Sequence, residues 1–410
     1  MRRISFYART LGLVVATGVV ALMPLSSALA LSDLQSAADS MVGTGLPGVW
    51  GVDSAGDSAA SGVANVGTSA STQAGMKDRI GSVTKAFMGE VTLQLVAEHT
   101  LHLSDSVEQW VPGLLPYGSD VTVKQLLNHT SGIPDYLESG DNPLLVQFIR
   151  ESVPGNPEYD PTFKNTVWTP AELVGLISSQ PRDVIPAGNA EYSDSNYIVL
   201  GMVLEAASGQ SVGTLLQNRI ITPLNLTHTS FPTTQTGLPG LHSHGYTFNV
   251  DTDGVPLDGT LYDITNYNTS FVWATGAIIS NPTDLNTFMR AMVGNTVPGH
   301  HLPNWLVTAM TTTVPITLPA GLFPAGFGAG LGLWSWNIKA SLDDIGVSGG
   351  CNKTIYGEEG EVPGFDTWSF TNSTGSRAIS MGVNQMVPDF DTQYYAANGE
   401  LPQYGLLWCR

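Results

Sequence analysis

Residues Asp78-Arg79-Ile80-Gly81-Ser82-Val83-Thr84-Lys85 set a hydroxyl and an amine three positions apart, with Ala86-Phe87-Met88 and the apolar Val91, Leu93, Leu95 and Val96 behind them. At a helix start this spacing puts both side chains on one face. A serine hydroxyl is a weak nucleophile until a neighbouring base takes its proton, so the pair points to acyl transfer. Lysine is a base only when neutral, and burial and a helix N-terminus both disfavour its cation. The backbone N–H of Ser82 is a candidate oxyanion donor. A capped helix with Lys85 facing solvent is the alternative reading of so short a motif.

A second proton carrier has to come from elsewhere in the chain. Glu191-Tyr192-Ser193-Asp194-Ser195-Asn196-Tyr197, ahead of Ile198-Val199-Leu200, reads as a polar loop feeding a helix. Tyr192 is the candidate for handing a proton to a leaving group. A structural hydrogen-bonding tyrosine is the bland alternative.

These residues need a frame. Residues 46–65 read as a strand pair around a turn at Asp53–Gly56, and 82–99 as a helix. A short helix follows Thr122, and Thr169-Pro170-Ala171-Glu172 opens another with a Thr cap, Pro at the first position and an early acid. Pro282-Thr283-Asp284-Leu285 starts an amphipathic helix whose Phe288, Met289 and Met292 face a core. Runs at 331–336, 365–370 and 378–384 read as antiparallel strands between Gly/Asn/Pro turns. Strands first and last with helices between give an α/β protein. Its parts are 31–99 and 271–410 for the α/β body, with a mainly helical insertion at 100–270.

Ser82-Val83-Thr84-Lys85 and Tyr192-Ser193-Asp194 resemble the first two signatures of serine D-alanyl-D-alanine carboxypeptidases and class C β-lactamases. Leu126 to Pro134, Leu224 to Pro232 and Trp273-Ala274-Thr275-Gly276 extend the resemblance over nearly all of residues 40–385. It implies a mixed, largely antiparallel sheet flanked by helices, with a helical domain beside the cleft. It also implies that Ser82 forms an acyl-enzyme, that Lys85 helps deprotonate it, and that Tyr192 protonates the leaving amine and then helps activate water. His129 and His228 fall outside the chemical group.

The third signature of that family is Lys or His, a small residue, then Gly on a strand edge. Its place here is Tyr356-Gly357-Glu358-Glu359-Gly360-Glu361. Glu358 therefore stands where the family has a base, and the backbone N–H of Glu361 would be the second oxyanion donor. Glu358 and Glu359 are expected to make the rim acidic, repelling a substrate carboxylate and attracting an amino group, or else simply facing water. Asp194 replaces the family's Asn. Ionised, it would favour the Lys85 cation and oppose a base role. It could instead be protonated, turned away or paired elsewhere, or orient Lys85 within a coupled set.

The 410 residues carry a formal net charge of −19, which excludes nucleic acid as a natural partner. Arg2, Arg3 and Arg9 precede the apolar run Leu11 to Leu25 and the small residues Ser26-Ser27-Ala28-Leu29-Ala30, so residues 1–30 read as a secretory signal. No later stretch is long enough to span a membrane. Cys351 and Cys409 are the only cysteines, and export makes a disulfide between them plausible. Neither metal-ligand spacing nor a phosphate loop is present, and no cofactor is expected. The leading reading is a secreted, D-alanyl-D-alanine carboxypeptidase-like serine hydrolase acting on D-residue peptide amides, with bacterial cell-wall peptide as the substrate class the resemblance implies. A D-aminopeptidase, D-amino-acid amidase, D-stereospecific endopeptidase or esterase, a β-lactamase and a noncatalytic peptide-binding protein remain alternatives. Oligomeric state is open.

Overall fold

A computed structural model describes residues 34–137, 143–232, 234–252, 254–317, 325–386 and 400–409. The expected signal segment, residues 1–30, lies outside them.

Among the described residues fourteen strands form in chain order: β1 (Gly48–Asp53), β2 (Ser58–Asn65), β3 (Ala70–Ser71), β4 (Asp78–Arg79), β5 (Ala190–Glu191), β6 (Tyr246–Val250), β7 (Pro256–Asp263), β8 (Ile279–Ser280), β9 (Val314–Thr317), β10 (Phe327–Ala329), β11 (Trp334–Asn337), β12 (Thr354–Val362), β13 (Phe365–Asn372) and β14 (Ala378–Val383). Ten of them make one sheet in the order β3-β2-β1-β14-β13-β12-β11-β10-β9-β5. Every pairing in it is antiparallel except β5 with β9. The first and last of these strands lie side by side as third and fourth in that order, with Val49 opposite Val383 and Asp53 opposite Ile379.

The helices are α1 (Leu34–Gly43), α2 (Thr84–Ala97), α3 (Val107–Trp110), α4 (Val123–Leu127), α5 (Leu144–Ser152), α6 (Pro170–Gly175), α7 (Ser195–Ser208), α8 (Val212–Leu216), α9 (Trp273–Gly276), α10 (Pro282–Val293), α11 (Asn304–Thr311), α12 (Ile338–Asp344) and α13 (Glu400–Leu407). Their starts follow local chemistry. Thr122 and Thr169 close capping boxes with Gln125 and Glu172, and Asn281 caps α10 ahead of Pro282. The α7 helix ends on Gly209, whose left-handed φ of 68° suits glycine.

One sheet face packs α1, α12 and α13 in a cluster with Trp336, Trp368, Phe370 and Tyr404. The other face packs α2 and α10, and their apolar cluster continues without a break into α4, α5 and α7. Strands β12 to β14 are thus covered on both faces, and every residue of β14 is buried. Besides its helices, residues 100–270 contribute β5 to the sheet and a separate β6–β7 hairpin. A disulfide joins Cys351, just ahead of β12, to Cys409, just after α13. No single helix among the described residues is long and apolar enough to cross a membrane.

Candidate active site

Ser82 lies in a single 3-10 turn, Gly81–Val83, between β4 and α2. Its two turn neighbours are buried, while Ser82 is half-exposed. Gly81 has φ of 49°, a left-handed conformation that costs glycine nothing. A Cβ on Gly81 would stand 2.7 Å from the backbone nitrogen of Glu361, and one on Gly360 would stand 2.6 Å from the nitrogen of Ser82. Two facing glycines therefore let β12 lie against the serine turn. The backbone nitrogens of Ser82 and Glu361, the two expected oxyanion donors, come to this one contact.

The α2 helix brings Lys85 round one turn, as the three-residue spacing requires. Lys85 is 1% exposed, and its Nζ donates to Ser82 Oγ at 2.7 Å, Tyr192 Oη at 2.6 Å, Asp194 Oδ1 at 2.6 Å and the Thr275 carbonyl at 3.2 Å. Ser82 Oγ and Tyr192 Oη are 2.7 Å apart. Nucleophile, amine and phenol thus close a triangle with every side at hydrogen-bond length. Asp194 ion-pairs with Lys85 and also accepts from Tyr192 Oη, at 3.3 Å, and from Thr275 Oγ1. It is neither turned away nor exposed. The Asp194 carboxylate therefore lies against the same amine that contacts Ser82 and Tyr192.

Glu358 and Glu359 do not form a rim. They are 1% and 7% exposed, and successive strand residues point to opposite faces. Glu358 faces the Lys85–Asp194 pair from beneath. Burial pushes its carboxyl well above the usual range, with Lys85 opposing and Asp194 reinforcing the shift, while the Trp334 backbone N–H bonds to it. Its Oε2 is buried with no hydrogen-bond partner. Burial of this kind favours the neutral acid over the carboxylate. Glu359 projects to the rear face, away from Ser82, beside Asp366 and Glu400 of α13. Burial, then Asp366, pushes Glu359 and Glu400 well above the carboxylate range. The acidic rim expected from the sequence is corrected by the strand's position: the 357–360 stretch of β12 is buried, so neither glutamate faces water.

Three residues outside the expected group also belong to the site. Thr275, within the Trp273-Ala274-Thr275-Gly276 stretch, holds both Lys85 and Asp194. Asp135 accepts the Asp194 backbone N–H at 3.0 Å and that of Leu137 at 2.7 Å; burial, then the charge of Asp194, raises it to about 7. His129 stacks on Tyr192 with ring centroids 4.7 Å apart. In the sequence, His129 and Thr275 fall within stretches that carry the family resemblance and Asp135 directly follows one, but nothing there marked them as part of the site. His228 lies elsewhere, its backbone N–H bonded to Asp284. Among the described residues no group of three His, Cys, Asp or Glu side chains is placed to hold a metal ion.

A family model described as Beta-lactamase matches residues 36–401. Protein flp of Staphylococcus aureus (strain NCTC 8325 / PS 47) is 33% identical over 162 residues, 38% of this chain and 28% of that protein. The match thus spans less than a third of the length of that curated relative. The crystal structure of a D-stereospecific amidohydrolase from Streptomyces sp. is similar with a TM-score of 0.71 and 29% identity, covering 88% of this chain and 97% of the other. A D-amino acid amidase from Ochrobactrum anthropi SV3, complexed with D-phenylalanine, shares the fold with a TM-score of 0.72 at 23% identity, covering 92% and 97%.

Proposed function

The chain belongs to the beta-lactamase family, and from that membership we propose that it is a serine hydrolase cleaving amides of D-amino acids or short D-residue peptides through an acyl-enzyme on Ser82. The observation that carries the proposal is the closed Ser82–Lys85–Tyr192 triangle beside the paired Ser82 and Glu361 nitrogens.

The chemistry follows from the geometry. Ser82 Oγ attacks the amide carbon as its proton passes to the Lys85–Tyr192 pair, which must hold one proton fewer than an ammonium and a phenol together, as a Tyr192 phenolate beside the Lys85 cation does, and the new C–O⁻ is received by the N–H groups of Ser82 and Glu361. One such donor contributes roughly 3–4 kcal/mol in the transition state. The C–N bond breaks as Tyr192 delivers the proton to the departing amine. Water then enters, gives a proton back to Tyr192 and frees the acid, restoring the serine hydroxyl.

The amidase reading, rather than a carboxypeptidase one, rests on two features. The basic residue of the family's third signature is replaced by Glu358, a buried carboxyl that cannot supply a positive charge. Lys85, the cation that hydrogen-bonds to Ser82, is already paired with Asp194. A substrate carboxylate would meet no spare positive charge in this group. The Streptomyces neighbour, whose name states D-stereospecific amidohydrolysis, supports the same direction. Secretion belongs to the proposal through the character of residues 1–30.

A fluorophosphonate probe followed by mass spectrometry should place one adduct on Ser82, absent in Ser82→Ala. Paired substrates then separate the readings: D- against L-amino-acid amides, free against blocked amino ends, and peptides ending in a free D-Ala carboxylate. Faster turnover of D-amides is expected. Strong preference for a free carboxyl end would replace the amidase by a carboxypeptidase. Absence of both adduct and hydrolysis would leave a peptide-binding protein.

A further inference from the structure

Tyr192 enters the proposed reaction twice, yet its phenol lies at the end of a side chain on a loop. Something must hold the ring where Oη meets both Ser82 and Lys85. Loop residues position reacting atoms well only when other groups lock them.

His129 makes three separate contacts with the tyrosine segment. Its backbone carbonyl accepts the N–H of Glu191, the residue before Tyr192, at 2.9 Å. Its Nδ1 accepts the N–H of Ser193, the residue after, at 3.2 Å. Its ring stacks on the Tyr192 ring, with 4.7 Å between centroids and 23° between planes. Tyr197 closes over the histidine at 5.4 Å, and the Asn196 side-chain amide, 3.2 Å away, donates to the same Nδ1. His129 is 2% exposed and has φ of 55°, a conformation that a non-glycine residue keeps only when its surroundings impose it.

We infer that His129 is a positioning residue for Tyr192, clamping the tyrosine from both sides of the backbone and from the ring face so that its phenol can protonate the leaving amine. The inference rests on the hydrolase reading proposed above.

The charge state fits this role. Burial, then the charge of Lys85, pushes His129 down to about 3. The groups surrounding it are Lys85 from α2, Tyr192 and Ser193 ahead of α7, and Asn196 and Tyr197 within α7. A neutral ring keeps Nδ1 an acceptor and adds no second cation beside Lys85. Such an imidazole is a clamp and takes no part in proton transfer.

The test uses two leaving groups. Ammonia from D-phenylalaninamide must be protonated as it departs, whereas p-nitrophenolate from the matching D-phenylalanine ester leaves without a proton. His129→Phe keeps a stacking ring but loses the Nδ1 acceptor. It should lower kcat/KM for the amide by about 10- to 100-fold, within the range for general acid catalysis, and that for the ester by a clearly smaller factor, because both substrates use the Lys85–Tyr192 pair to take the Ser82 proton but only the amide needs Tyr192 to protonate its leaving group. His129→Asn keeps an acceptor and tolerates positive φ while losing the ring, and should show the same amide-selective loss if His129→Phe fails to fold. In a Tyr192→Phe background the His129 change should add nothing to the amide defect. Equal losses on ester and amide, or full additivity with Tyr192→Phe, would overturn the positioning role. Wild-type protein that hydrolyses neither compound would overturn the hydrolase reading itself, and this role with it.

Discussion

Asp78 opens the strand that leads into the serine turn, and its carboxyl is 1% exposed. Thr367 Oγ1 donates to Oδ2 at 3.1 Å, and Oδ1 has no hydrogen-bond partner. Burial raises this group from 3.8 to about 8, with the Thr367 bond opposing and Asp366 reinforcing the shift. A carboxyl whose folded-state value is raised contributes its full stability below 3.8, and that stability is lost as pH rises to about 8. The span is about 4 units, or ~6 kcal/mol at 1.36 kcal/mol per unit. Asp78→Asn replaces the protonated acid by a neutral isostere that still accepts from Thr367. Between pH 5 and pH 7 it should gain about 3 kcal/mol on the wild type, two units at the same rate. Urea unfolding of both proteins at pH 5, 6 and 7 measures this directly. Glu90 and Asp135, each raised to about 7, steepen the decline in both proteins. His129, lowered to about 3, acts the other way below 6.5, also in both. The difference between the two curves therefore isolates Asp78. Stability curves that stay parallel from pH 5 to pH 7 would refute the assignment of a buried, protonated carboxyl.

Glu358→Gln should leave kcat/KM within about threefold at pH 6–7, on cationic and neutral substrates alike, because the amide copies the neutral acid already there. A large loss confined to substrates with a free amino group, read from steady-state kinetics, would instead make Glu358 a substrate ligand. Reducing the Cys351–Cys409 disulfide, which spans 58 residues, should cost about 4 kcal/mol by the chain-entropy relation and lower the urea midpoint; an unchanged midpoint would show the crosslink to be idle.

Local chemistry made much of this chain legible. The Thr122 and Thr169 caps, the turn between β1 and β2, and the Asn281–Pro282 start of α10 each form from residues adjacent in sequence. The Ser82–Lys85 contact likewise follows from helix geometry alone. The polar run at 191–197 offered Tyr192 as a candidate, and the family resemblance tied it and Asp194 to Ser82 and Lys85, more than a hundred residues away. The burial of Glu358 and Glu359 could not be read from their own neighbourhood. It depends on β12 lying inside a ten-stranded sheet and on α13 closing the rear face. The same holds for His129, Asp135 and Thr275, which reach Tyr192 and Asp194 through tertiary contacts that carry no spacing signal.

The glycine-to-glycine contact between Gly81 and the Gly360–Glu361 backbone has a consequence for biosynthesis. Chains emerge N-terminus first, so the nucleophile is made some 280 residues before the strand it must meet. A ribosome-bound fragment ending ahead of β12 holds Ser82 and Lys85 but lacks one half of the proposed anion receptor. Hydrolytic power should therefore switch on only after translation has passed Glu361, sparing the cell an unfinished enzyme that already cuts.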